Sequence, residues 1–106
     1  MLVEGHEVPD HIWVFAQGLK EHFGPFEVHS SNVYLIWKLF PDRVIYLRFD
    51  GSEVEQEGAG YISFDSASFG AKGGVFPKGV LWESSTLPTL EEALFQIELV
   101  RLMDAK

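Results

Sequence analysis

Residues 33–49 restrict the fold more than any other stretch, because they hold two strongly apolar runs broken once by Pro41, Asp42 and Arg43. Apolar runs of this length, rich in β-branched and aromatic residues around one turn signal, form a β-hairpin. Successive side chains of a strand point to opposite faces, so the loop length decides which residues share a face. With Pro41, Asp42 and Arg43 as the loop and Phe40 opposite Val44, Leu35, Trp37 and Leu39 fall on one face with Ile45, Leu47 and Phe49. All six are apolar. The other face carries Tyr34, Ile36, Lys38 and Phe40 beside Val44, Tyr46 and Arg48. An even loop would bring Lys38 beside Ile45 and spread charge over both faces, so an odd loop is predicted.

Turn signals extend the hairpin into a meander. Asp50 and Gly51 form a dipeptide suited to the positive backbone angles of a tight type I′ turn. Pairing Phe49 with Ser52 puts Arg48 opposite Glu53, Tyr46 opposite Glu55 and Val44 opposite Glu57, with residues 52–57 as a strand. Gly58, Ala59 and Gly60 turn the chain again into a strand over 61–65. There Ile62 and Phe64 join the apolar face, and Tyr61, Ser63 and Asp65 join the polar one. Residues 26–29 read as a short strand before the hairpin and 80–82 as one after it. The Gly- and Ser-rich residues 66–79 read as a long loop.

Helices close the two ends. Ile12, Phe15, Ala16, Leu19 and Phe23 repeat at the period of one helical stripe, predicting a helix over residues 10–23 with Asp10 as its N-cap. Gly24 followed by Pro25 stops it. Gly18 inside weakens it by about 1 kcal/mol relative to Ala. Thr89 and Glu92 form a capping box for a last helix, in which Leu90, Ala93, Leu94, Ile97 and Val100 make a stripe widened by Phe95, Leu99, Leu102 and Met103. So wide an arc needs two neighbours: the sheet, and either the first helix or a second copy of the chain. The expected architecture is a single α+β domain over residues 1–106, an antiparallel β-meander of about five strands with an N-terminal and a C-terminal helix packed on one face.

Composition narrows the function classes. The 106 residues carry a formal net charge of −8, which argues against direct binding to nucleic acid or an anionic membrane surface and leaves a basic protein partner open. There is no cysteine, which removes disulfides, thiolate metal sites and cysteine nucleophiles and fits a reducing cytoplasm. Neither the basic flank and apolar core of a secretory leader nor an apolar run long enough for a membrane helix is present, so a cytoplasmic protein is expected.

The residues that invite a functional reading lie on the face turned away from the helices. Tyr34, Tyr46 and Tyr61 all fall there with Ile36, Arg48 and the row Glu53, Glu55 and Glu57, and this set is the expected partner-binding surface. Tyr and Arg join a large apolar area to a polar tip and are enriched where partners dock. The glutamates repeat at about 6.5–7 Å along one side of a strand. Such a row either mimics a phosphate backbone or guards an edge strand against aggregation.

Other candidates carry less. The segment from Ser68 to Gly79 lacks the spacing of a phosphate-binding loop. His11 and His22 share a helix face but stand about 16 Å apart, too far for one ion, so no metal or other cofactor is expected. Neither a nucleophile elbow nor an HExxH pair occurs. These readings converge on a small acidic non-catalytic binding protein, an inhibitor or immunity-type protein that neutralises a protein partner through an exposed sheet face. The alternative is a homodimer assembled through that face or the last helix. A third reading is a small-ligand binder or enzyme with a pocket near the 66–79 loop, marked by converging Ser63, Asp65 and Lys72.

Overall fold

A computed structural model describes residues 2–3, 6–29, 34–49 and 60–104, with side chains placed for 8–29, 34–49 and 60–103. Two short strands, β1 (Leu2–Val3) and β2 (His6–Glu7), pair with each other ahead of helix α1 (Asp10–Phe23). Strands β3 (Glu27–His29), β4 (Tyr34–Leu39), β5 (Arg43–Arg48), β6 (Tyr61–Phe69) and β7 (Val75–Ser84) follow, and helix α2 (Leu90–Asp104) ends the order. The last five strands form one antiparallel sheet in chain order, so the α+β meander with a helix from each end is the architecture.

Parity in the central hairpin is as predicted, but the register is two residues away. Leu39 pairs with Arg43 and Leu35 with Leu47, so the loop is Phe40, Pro41 and Asp42. A shift of two leaves every side chain on its own face, and the hydrophobic pattern cannot sense it. Leu35, Trp37, Ile45, Leu47, Ile62 and Phe64 are buried on one face against Ile12, Phe15, Ala16 and Leu19 of α1 and Ala93 and Ile97 of α2. The Trp37 indole donates to the carbonyl of Gly24 at 3.1 Å, which satisfies a polar group that burial would otherwise leave unpaired.

Helix ends follow their local chemistry with one difference. Asp10 is the first residue of α1 rather than its cap. Pro9 occupies the cap position and makes no side-chain bond there, while its carbonyl accepts from the amide of Trp13. The Asp10 carboxylate therefore acts on the positive end of the helix dipole. Thr89 caps α2 as predicted, its hydroxyl accepting from the amide of Glu92 at 3.1 Å. Gly18 proves to be a contact point: a β-carbon there would lie 2.1 Å from Leu90 Cδ2, so the glycine lets the start of α2 close onto α1.

The largest departure lies after β5. Both edges of β5 are occupied, by β4 and by β6, and Arg48 stands between Tyr34 and Tyr61. Arg48, Tyr46 and Val44 therefore do not make the predicted pairing with Glu53, Glu55 and Glu57, and the predicted partner of Phe49, Ser52, lies outside the described residues. Glu53, Glu55 and Glu57 themselves lie outside the described residues. Residues 66–79 are not a loop: β6 continues to Phe69 and β7 begins at Val75, joined by a turn in which the Gly70 amide donates to the Gly74 carbonyl. Small residues hid these strands, since Gly and Ser have weak strand preference.

Two register irregularities, between Phe64 and Asp65 and between Ser66 and Ala67, interrupt the β6–β7 pairing. Bulges of this kind bend a strand pair. Here the tip of the hairpin folds over the second face of the sheet. Lys38 of β4 donates from Nζ to the Gly73 carbonyl at 2.7 Å and pairs with Glu27 at 2.8 Å. The Ala67 amide donates to the Asp42 carbonyl at 3.0 Å, and the Phe40 and Phe69 rings meet at 4.8 Å. Beneath this arch Ile36, Val44 and Ala67 form a second buried cluster, packed against Tyr34, Tyr46, Phe69 and Val75.

Candidate functional site

Alternation places Tyr34 on β4, Tyr46 on β5, and Tyr61, Ser63 and Asp65 on β6 side by side on the face opposite the helices. The bent β7 then brings Pro77 across from them, and these six residues line a cleft of about 230 Å³. That is smaller than pockets holding drug-sized ligands, which run from about 300 to 1,000 Å³. The cleft suits a side chain or a small head group.

Three tyrosines form its sides. The rings of Tyr34 and Tyr46 meet edge to face at 5.6 Å, which fixes their orientation. The Arg48 guanidinium carbon lies 6.0 Å from the centre of the Tyr34 ring, at the outer limit of a cation–π contact. Tyr61 donates its hydroxyl to Glu83 Oε2 at 2.6 Å. Glu83 faces Ser63 across the β6–β7 ladder and so adds a second carboxylate beside the cleft.

Asp65 is the unusual member. It is only 6% exposed, and its Oδ1 has no hydrogen-bond partner. Burial raises the carboxyl above its ordinary value of 3.8; a hydrogen bond from Ser63 opposes that shift and the charge of Glu83 adds to it. Tyr46 is pushed up to about 12, first by burial, then by the charges of Asp65 and Tyr34. Tyr61 is also raised, chiefly by burial and its bond to Glu83. All three shifts oppose negative charge and come chiefly from burial, with the neighbouring acidic groups adding to it, so the cleft is partly desolvated and disfavours a further anion.

Of the predicted partner-binding residues, the structure brings Tyr34, Tyr46 and Tyr61 around one cleft and sets Arg48 at its rim. Ile36 is 3% exposed beneath the arch, so it supports the tyrosines from below and offers little surface to a partner. Ser63 and Asp65 do converge in a pocket, as the small-ligand reading required, but Lys72 is exposed in the β6–β7 turn and does not line it. Pro77 and Glu83 were missed by the sequence reasoning. Both sit on β7: Glu83, just past the predicted strand 80–82, faces Ser63 in the regular part of the ladder, while Pro77 lies beyond two register shifts that nothing local signals.

Among the described residues, no group of three or more His, Cys, Asp or Glu side chains is placed to hold a metal ion, and no helix is long and apolar enough to cross a membrane. Comparison with protein-family models, curated proteins and solved structures finds no match, so what this chain does has to be read from the cleft itself.

Proposed function

We propose that this is a non-catalytic binding protein that captures a basic protein partner through its concave tyrosine face, in the manner of an inhibitor or immunity-type protein. One observation carries the reading: three tyrosines surround a buried, half-unpartnered carboxylate on the face turned from the helices, in a chain of net charge −8. Aromatic rims around a concave, partly desolvated centre are where binding energy concentrates. The excess negative charge steers a basic partner towards it. A place in the cytoplasm and independence of any cofactor belong to the same proposal.

Affinity purification from the source cells, followed by titration of the captured protein, tests it. The captured protein should be basic, lose its activity at equimolar addition, and be released when Tyr34 and Tyr61 are both replaced by Ala. Capture unaffected by that double change, in a variant that still melts cooperatively, would remove the tyrosine face as the docking surface.

A second reading, self-assembly, has its own support. Phe95, Leu99, Leu102 and Met103 on the outer side of α2 are exposed, Leu102 by 73%. Val80 and Leu81 of the edge strand β7 are exposed as well. Unpartnered apolar surface of this kind marks association sites. Sedimentation with Leu102→Glu and Phe95→Glu distinguishes this route, since a dimer through α2 would dissociate while the tyrosine face stayed untouched.

A further inference from the structure

We infer that the cleft is a receptor for one alkylammonium group, the side chain of a lysine supplied by the basic partner, with Asp65 as counter-charge and Tyr34, Tyr46 and Tyr61 as its aromatic walls. The inference rests on the binding reading above and names the chemistry of its centre.

Three observations point to a positive occupant, and a fourth to its size. Asp65 lines the cleft, is nine-tenths buried, and has its Oδ1 without a hydrogen-bond partner. A buried polar atom without a partner is rare in native proteins and calls for a physical reason. Glu83 stands beside it, so an anion would meet two carboxylates. Tyrosine faces attract cations through their quadrupole, and Arg48 already lies near the Tyr34 ring. The volume of about 230 Å³ admits one extended side-chain end.

The same features decide between kinds of cation. Calcium takes about six to eight oxygen ligands. The cleft offers the Asp65 carboxylate, the Ser63 hydroxyl and phenols, with Glu83 beside it already accepting from Tyr61, and among the described residues no third acidic or histidine side chain joins them to hold an ion. A guanidinium needs two parallel acceptors for its planar fork, whereas the Asp65 carboxylate is nine-tenths buried and already accepts from Ser63. An ammonium on a flexible stem fits better: its methylenes lie against the rings and Pro77 while its head pairs with the Asp65 carboxylate.

Titration of the full chain with N-acetyl-lysine methylamide, followed by NMR, tests the inference, with the norleucine analogue as a neutral probe of the same stem and choline as a small free cation. Saturable shifts of Tyr34, Tyr46, Tyr61 and Asp65 signals are expected with the lysine probe and none with norleucine. Asp65→Asn should weaken the lysine probe by at least about tenfold, because a charge-assisted bond is lost. Arg48→Gln should leave its affinity equal or tighter, since a neighbouring positive charge is removed. Cooperative melting and an unchanged circular dichroism spectrum of Asp65→Asn separate loss of the site from loss of the fold.

Equal binding of norleucine, or an Asp65→Asn protein that binds the lysine probe as well as the parent, would overturn the inference. Tighter binding of choline than of the lysine probe would overturn the lysine source. Partner capture that the lysine probe cannot displace leaves the binding reading standing and removes the ammonium site. Saturable lysine binding by a chain that captures no partner does the reverse.

Discussion

The two faces of the central sheet are both largely covered, but by different means. On one, α1 and α2 lay apolar stripes over Leu35, Trp37, Ile45, Leu47, Ile62 and Phe64, all of them fully buried. On the other, the sheet covers itself: the bulged β6–β7 hairpin arches back, buries Ile36, Val44 and Ala67 against Tyr34 and Tyr46, and leaves a cleft between the tyrosines and Pro77. A helix can seal a face because its side chains are long and its backbone polar groups are satisfied internally. A bent hairpin seals only as far as its strand reaches, and the remainder becomes a cleft with a carboxylate at its base. The site is thus what partial closure leaves.

Substitutions break or sharpen this contrast in decreasing order of effect. Trp37→Ala removes the largest fully buried side chain of the helix-covered face and the bond to Gly24, and should cost about 3–5 kcal/mol in a urea unfolding experiment. That is a large share of the roughly 5–15 kcal/mol by which a domain is stable. Ile36→Ala tests whether the second face is also a core. A loss of about 2–3 kcal/mol is expected if the arch packs as described, while a loss near zero would mean the face is open to water.

Lys38→Ala removes the tether from β4 to the Gly73 carbonyl and the pair with Glu27. It should cost about 1 kcal/mol and speed hydrogen exchange at the β6–β7 turn while leaving the amides of α1 unaffected.

Asp65→Asn should move stability the other way. Because the folded-state pKa of Asp65 is raised, the native protein holds this proton more tightly than the unfolded chain. Stability from this group is therefore fully present below the ordinary value of 3.8 and is lost as pH rises through the raised folded value. Asp65→Asn should consequently raise the melting temperature at pH 7 by a few degrees, roughly 0.5–1 kcal/mol, and the gain should vanish in melts near pH 3. A destabilised Asp65→Asn at neutral pH would mean that Oδ1, as well as the oxygen bonded by Ser63, has a partner after all. The stabilised outcome is what a binding residue that costs the free fold would give.

Much of the helix-covered face was legible from residues 33–49 and the two terminal stripes. Apolar spacing there is dense and regular, and each turn or cap lies within a few residues of the element it ends. The tyrosine face was legible as a set of residues on one side of the sheet, since Tyr34, Tyr46 and Tyr61 obey the same alternation. Its shape was not. Residues 66–79 are small and flexible in character, and their strand structure depends on partners far along the chain: Asp42 for Ala67, Lys38 for Gly73, Phe40 for Phe69. Gly18 misled in the same way, reading as a weak point of a helix when its missing side chain makes room for Leu90.

Which side of the sheet each residue of the central strands occupies was decided by the amino-acid sequence alone, because the twofold alternation of a strand is a property of the local backbone. Tertiary structure alone decided how far the strands slide past one another and where the β6–β7 hairpin bends. A shift of two residues changes no face, and a bulge is held by contacts that sequence proximity cannot express. The cleft around Asp65 belongs to that second kind of decision.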